Sequence, residues 1–205
     1  MNIIADYGRG NLRSLKNALD RIGMETEISS SPQKIMRADS LIIPGVGAFA
    51  DAMDAMDAAG LTQVIKDFAK SGKYVLGICL GMQLLYEKGY EYGEREGLGL
   101  IKGSIRYLDI EEKVPHMGWN DLKFEKDSDP VLRKIKEGEY VYFVHSYYAD
   151  SDGSEIVAYA EYGTKIPAIV RQGSIYGMQF HPEKSGDTGE RLLEAYRDMV
   201  EKRRL

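Results

Sequence analysis

Cysteine is nearly absent from this chain: Cys79 is the only one in 205 residues. That excludes an intrachain disulfide and fits a reducing compartment, so a cytoplasmic protein is expected. Histidine is almost as scarce. Its three copies show no paired ligand spacing, which speaks against a metal, and nothing calls for a cofactor. No apolar run approaches the roughly 20 residues needed to span a bilayer. The start, Met1-Asn2-Ile3-Ile4-Ala5-Asp6, is too short and too soon acidic for a signal peptide. Positive charge is not in excess either. The net charge is −5, which gives a nucleic-acid partner little electrostatic support. Repeats, low-complexity segments and linkers rich in Pro or Ser are missing. What remains is ordinary for a globular chain, 43% hydrophobic and 29% charged, and its length suits one domain over residues 1–205. The basic tail Glu201-Lys202-Arg203-Arg204-Leu205 reads as a solvated helix end whose cations complement the dipole.

The first half alternates strand and helix signals. Ile3-Ile4-Ala5 is a buried strand. Leu12, Leu15, Leu19 and Ile22 recur at helical spacing, with Gly23 as the stop. A short strand runs from Glu25 to Ser29. Ser31-Pro32 reads as an N-cap followed by proline at the first helical position. Leu41-Ile42-Ile43 is a third strand, ended by Pro44-Gly45. Leu61, Val64, Ile65 and Phe68 mark another helix, and Tyr74 to Ile78 another strand. This order predicts an α/β, three-layer fold with a mainly parallel central sheet. After about residue 100 the pattern turns to strands: Ser104–Leu108, Tyr140–Tyr148, Glu155–Tyr162, Ala168–Arg171 and Ile175–Phe180. Gln172-Gly173-Ser174 supplies a hairpin turn. The C-terminal half therefore adds antiparallel strands to the parallel sheet. A last helix starts near Thr188, with Leu192, Leu193, Tyr196, Met199 and Val200 on its apolar side.

Cys79 lies within Gly77-Ile78-Cys79-Leu80-Gly81, directly after an apolar run. A strand that stops at Gly-x-Cys-x-Gly turns sharply into a helix, with the sulfur exposed at the strand end and at the helix N-terminus, where the dipole favours thiolate. A lone cysteine is otherwise a small core hydrophobe. About a hundred residues on, a strand ends in His181-Pro182-Glu183. His181 would take the thiol proton and Glu183 would orient the ring, the logic of a nucleophile-base-acid triad. His145 is a rival base, ranked lower because no carboxylate follows it at short spacing. The backbone N–H of Leu80 follows the nucleophile and suits an oxyanion hole. Gln83, one helical turn after Cys79, shares its face. Gly8-Arg9-Gly10 suggests a phosphate loop, but Arg13 leaves the dinucleotide pattern incomplete. Trp119, in the loop Pro115-His116-Met117-Gly118-Trp119-Asn120, is either an interface anchor or a loop packed on its own core.

Gly-x-Cys-x-Gly-x-Gln with a distant His-Pro-Glu resembles the class I, triad-type glutamine amidotransferases. Four further blocks, Asp6–Asn11, Pro44-Gly45-Val46-Gly47, Pro115–Asn120 and Val144-His145-Ser146-Tyr147, resemble the branch of glutaminase subunits that serve imidazole glycerol phosphate synthases in histidine biosynthesis. The resemblance implies Cys79, His181 and Glu183 as the triad and glutamine as substrate. It places the second oxyanion donor at Val46, and Gly47, Gln83, His145, Ser146 and Tyr147 around the glutamine. It also implies a heterodimer with a (βα)₈-barrel cyclase subunit. Met117, Trp119 and Asn120 would meet that barrel, and Tyr142 and Lys184, next to the triad, would relay its state. A different amidotransferase branch, a duplicated copy in a surface-sugar pathway, another cysteine hydrolase and a silent binding subunit stay open on sequence alone.

Overall fold

The structure, a computed structural model, describes residues 1–204. Strands and helices follow one another as β1 (Asn2–Ala5), α1 (Leu12–Arg21), β2 (Thr26–Ser29), α2 (Pro32–Arg37), β3 (Ser40–Ile43), α3 (Phe49–Ala58), α4 (Thr62–Lys70) and β4 (Tyr74–Ile78). Side chains alternate across each strand, and here both faces are apolar. Ile4, Ile42, Leu76 and Ile78 face one side, where Leu15 and Leu19 of α1 pack. Ile3, Ala5, Leu41, Ile43 and Val75 face the other, against Ile35 of α2, Phe49 and Met53 of α3, and Ile65 and Phe68 of α4. Apart from Ala5, each such side chain stabilises the fold by about 1.5–3 kcal/mol when fully buried.

Helix ends carry the expected chemistry. Ser31 caps α2 by accepting from the Lys34 N–H at 3.4 Å, with Pro32 at the first position. Helix α1 ends at Gly23, whose φ of 74° is closed to most residues. The Met24 N–H then reaches back to the Leu19 carbonyl at 2.9 Å and the Gly23 N–H to Asp20 at 3.0 Å, a Schellman closure.

Beyond β4 comes α5 (Leu80–Gln83), a single turn. It is followed by β5 (Tyr86–Gly89), β6 (Arg95–Glu96), β7 (Ile101–Tyr107), β8 (His116–Asp121), β9 (Lys123–Phe124), β10 (Tyr140–His145), β11 (Tyr147–Asp150), β12 (Ile156–Tyr162), β13 (Thr164–Gln172), β14 (Ile175–Met178) and α6 (Gly186–Arg204). The central sheet runs β2-β1-β3-β4-β14-β13-β12-β9. Its first five strands are parallel and its last three antiparallel. Leu192, Leu193, Tyr196, Met199 and Val200 of α6 pack beside α1 and complete the three layers. Leu205, at the end of the basic tail, lies outside the described residues.

The structure corrects several expectations. The run Tyr140–Tyr148 is not one strand. It breaks at Ser146, where the chain leaves the β8–β10 pair for a separate sheet ordered β11-β7-β5-β6. Only β13, β12 and β9 extend the central sheet. The segment holding Trp119 is strand β8 rather than a loop, and it pairs residue for residue with β10. Helix α6 begins at Gly186 rather than near Thr188. Among the described residues no helix is long and apolar enough to cross a membrane, and no group of three or more His, Cys, Asp or Glu is gathered as metal ligands.

Candidate active site

The turn after β4 is set by two glycines. A Cβ on Gly77 would lie 2.5 Å from the Gly81 carbonyl oxygen, and one on Gly81 would lie 1.8 Å from the carbonyl oxygen of Ile43. No side chain fits at either place. Between them Cys79 takes φ 54°, ψ −115°, a strained backbone for a residue with a side chain. Its N–H donates to the Met178 carbonyl at 2.8 Å, which ties the elbow to β14. Cys79 is 8% exposed rather than open to solvent. It lines a cavity shared with the β10–β11 corner, Val144 to Tyr147. A one-turn α5 also lacks the stacked dipoles of a long helix, so the macrodipole expected at the cysteine is small. Local donors remain: the Leu80 N–H, at the first position of the turn, has no i−4 partner within it.

Strand β14 lies beside β4 with Gly177 opposite Gly77 and Met178 opposite Ile78. This neighbour pairing carries the chain end at His181 to the cysteine. His181 Nδ1 meets Glu183 Oε1 at 2.8 Å, and Cys79 lies close enough to the ring to raise its pKa. Burial alone would push the imidazole pKa down. The influence of Cys79 and Glu183 on the ring outweighs it, and the pKa rises to about 9. The ring therefore holds a proton at neutral pH. The turn is braced from behind: Ser185 Oγ donates to the His181 carbonyl at 2.6 Å and accepts from the Tyr142 N–H at 3.0 Å.

The cavity measures about 600 Å³, within the range of small-molecule sites. Val46, Gly47, Gln83, His145, Ser146, Tyr147 and Lys184 all line it, as do Cys79, Leu80 and His181. Both amide hydrogens of Gln83 are engaged, by the Tyr147 carbonyl and by Gln179 Oε1, each at 3.0 Å. Its own Oε1 is left as the group to offer. His145 cannot rival His181 as base. Its Nδ1 is held by the Tyr147 carbonyl at 2.8 Å and its Nε2 by His116 at 3.0 Å, and burial pushes its pKa down to about 3. Sequence reasoning missed Glu91, the one carboxylate among the lining residues. It follows no motif, and its Oε2 also accepts from the Phe49 N–H at 2.8 Å. His116, read in sequence only as part of the Trp119 segment, is buried and stacked between Phe143 and Tyr162 with centroids 4.6 and 4.1 Å away.

Strand β8 borders the same mouth. Pro115 lines the cavity, Met117 and Trp119 are 60% and 55% exposed, and Trp119 meets Tyr142 edge-on at 6.0 Å. Asn120 points the other way: its amide donates to the Glu161 carbonyl at 3.0 Å and faces His116.

A family model described as glutamine amidotransferase class-I matches residues 3–196. The chain is 51% identical over 201 residues to imidazole glycerol phosphate synthase subunit HisH of Oceanobacillus iheyensis, covering 98% of this chain and 100% of that one. It is 47% identical over 201 residues to the Bacillus cereus protein of the same name, covering 98% and 96%. Among solved structures, PurLQS from Thermotoga maritima superposes with a TM-score of 0.77 at 21% identity, over 97% and 98% of the two chains. The glutaminase domain of Trypanosoma brucei CTPS with bound acivicin gives 0.69 at 17%, over 98% and 94%. These two establish the shared fold. A model that begins in β1 and ends in α6, joined by relatives near half identity over the same span, makes this chain a member of the class-I glutamine amidotransferase family.

Proposed function

We propose that the chain is the glutaminase subunit of an imidazole glycerol phosphate synthase. One observation carries the chemistry: the only cysteine lies on a strained elbow beside an imidazole whose Nδ1 a carboxylate holds, and both line a cavity with room for an amino acid. Cys79 Sγ attacks the side-chain amide carbon of glutamine. The developing oxyanion takes the Leu80 and Val46 N–H groups. His181 gives its proton to the leaving nitrogen, ammonia departs and a γ-glutamyl thioester remains. His181, now neutral, draws a proton from water, and hydroxide attack releases glutamate and restores the thiolate–imidazolium pair. Glu183 orients the ring throughout. Glu91 and Gln83 Oε1 suit the substrate ammonium, while Ser146 and the Gly47 backbone offer donors to its carboxylate.

Ammonia is a nucleophile only while neutral, and water would protonate it. A sealed handover to a synthase is the physical answer, and the exposed Met117 and Trp119 beside the cavity suit docking on a (βα)₈ cyclase barrel. Tyr142, which pairs with Trp119 and accepts from the His181 N–H, and Lys184, on the His181 turn itself, suit a relay of the barrel's nucleotide occupancy. The barrel closes the imidazole ring, yielding imidazole glycerol phosphate and aminoimidazole carboxamide ribotide. The test is glutamate release by the chain with and without the cyclase barrel and its nucleotide substrate, together with intact mass after a diazo-ketone glutamine analogue. One adduct on Cys79 and nucleotide-stimulated glutamate release are expected. No adduct in the active complex removes the triad, and turnover indifferent to the barrel removes the partner.

A further inference from the structure

The loop between β1 and α1 is used by none of the chemistry above, yet it reaches the oxyanion strand. Tyr7 is 4% exposed, and its hydroxyl donates to the carbonyl oxygen of Pro44 at 2.5 Å. That carbonyl belongs to the Pro44–Gly45 peptide. The next peptide, Gly45–Val46, carries the Val46 N–H assigned to the oxyanion. Gly45 sits in the contact: a Cβ there would fall 2.7 Å from the Tyr7 hydroxyl, 2.9 Å from the Gly81 nitrogen and 3.0 Å from Leu80 Cβ. The glycine is thus pressed between the phenol and the first turn after Cys79. One residue upstream of Pro44, the Ile43 carbonyl lies against the Gly81 Cα. Gly10 backs on to Pro44 in turn, where a Cβ would lie 3.3 Å from the proline ring.

We propose that Tyr7 is a positioning residue for the oxyanion hole: its buried hydroxyl holds the Pro44 carbonyl and so anchors the Pro44–Gly45 peptide, the plane directly before the one that presents the Val46 N–H. The inference rests on the glutaminase reading above. Gly45 has no Cβ, so its φ and ψ are freer than those of other residues, and nothing intrinsic to the strand end fixes the Val46 peptide. Pro44 brings a fixed φ and no N–H of its own, so its carbonyl is the group by which the strand end is held. The phenol is suited to this for the whole working pH range. Burial, reinforced by the charge of Cys79 and only partly offset by Arg9, pushes its pKa far above the ordinary value, so it stays a donor. Loss of the hydroxyl would also leave a buried carbonyl unpaired, which favours rotation of that peptide toward another donor.

The test is Tyr7→Phe, which keeps the ring and removes one oxygen, in the full chain with and without the cyclase subunit. Two reactions of Cys79 are compared. Glutamine turnover passes through a tetrahedral oxyanion; alkylation by iodoacetamide is a direct displacement and does not. Turnover should fall about tenfold or more in kcat with KM little changed, short of the roughly 100- to 1,000-fold for outright loss of one donor. Alkylation should keep its wild-type rate, which also reports that the variant is folded. Tyr7→3-fluorotyrosine, which keeps the hydroxyl, should retain turnover. An unchanged or raised kcat in Tyr7→Phe, an equal fall in alkylation, or an equal loss in the fluorotyrosine variant would overturn the proposal. Absence of glutamine turnover in the unsubstituted complex would instead overturn the glutaminase reading itself.

Discussion

His116 Nδ1 and His145 Nε2 lie 3.0 Å apart, and their other contacts decide which of them carries the proton. His145 Nδ1 faces the Tyr147 carbonyl and must donate, so its Nε2 accepts. His116 Nδ1 then donates, and its Nε2 faces the Asn120 amide at 3.3 Å. Both rings are neutral by construction, and burial lowers their pKa values to about 4 for His116 and about 3 for His145.

The first prediction concerns pH. His181 stands at about 9 and the other two near 4 and 3, so between about pH 5 and 8 no histidine of the folded chain should titrate. Unfolded histidines take up protons near pH 6.5. The depressed pair therefore contributes stability above 6.5 that is lost as pH falls toward 4 and 3. The raised His181 contributes stability below 6.5 that is lost as pH climbs through 9. Stability should peak near neutrality, with losses of the order of a few kcal/mol on the acid side. Imidazole NMR signals and urea midpoints against pH check both statements; a histidine midpoint near 6.5 would contradict the assignment.

Glu183→Gln keeps the shape of the triad but removes its charge. The titration of His181 should move down from about 9, because two of the causes that raise it depend on that carboxylate. Glutamine kcat should drop roughly 1,000- to 10,000-fold, as when the orienting acid of a triad is neutralised. Steady-state kinetics and the same NMR titration read both effects in one variant.

Gly81→Ala places a methyl group 1.8 Å from the Ile43 carbonyl oxygen. Backbone meets backbone there, so neither side can swing away. The cost should be about 3 kcal/mol or more, with loss of Cys79 labelling at temperatures where the rest of the chain is still folded. Denaturant midpoints and adduct mass measure the two parts.

Trp119→Ala should weaken the proposed complex with a cyclase subunit by about 2 kcal/mol or more, near 30-fold in Kd. The indole is over half exposed and touches Tyr142 edge-on, so the isolated subunit should unfold at nearly the same temperature. Titration calorimetry and thermal unfolding together separate an anchor from a packing residue.

Which parts were legible in the sequence follows from where side chains face. Strands β1, β3 and β4 are apolar on both faces, so their runs stand out, and the same is true of the spacing in α1, α4 and α6. The cysteine elbow announces itself because Gly77 and Gly81 are demanded by backbone contacts at fixed offsets from Cys79. Strand β8 was hidden because its alternation is inverted: Met117 and Trp119 face outward while a histidine faces in. Helix α3 buries Phe49, Ala52, Met53 and Met56, a correct spacing carried largely by small or flexible residues among others of the same kind. The break at Ser146 has no local cause to read; it depends on which sheet each half of the run joins. Glu91 and the His116–His145 pair are assembled from segments far apart in sequence, and spacing carries no trace of them.

The pairing of β4 with β14 bears on the time before the protein is finished. About a hundred residues separate these two neighbouring strands, and a ribosome adding roughly 5–20 residues per second needs some 5 to 20 s to cover them. During that interval the nascent chain has its thiol but no base beside it. The elbow itself lacks the Met178 carbonyl that secures the Cys79 N–H. Glutamine is therefore safe from a half-made subunit, and so is the thiol from being activated without a pocket around it. Reactivity arrives only when β14 and the His181 turn have joined β4.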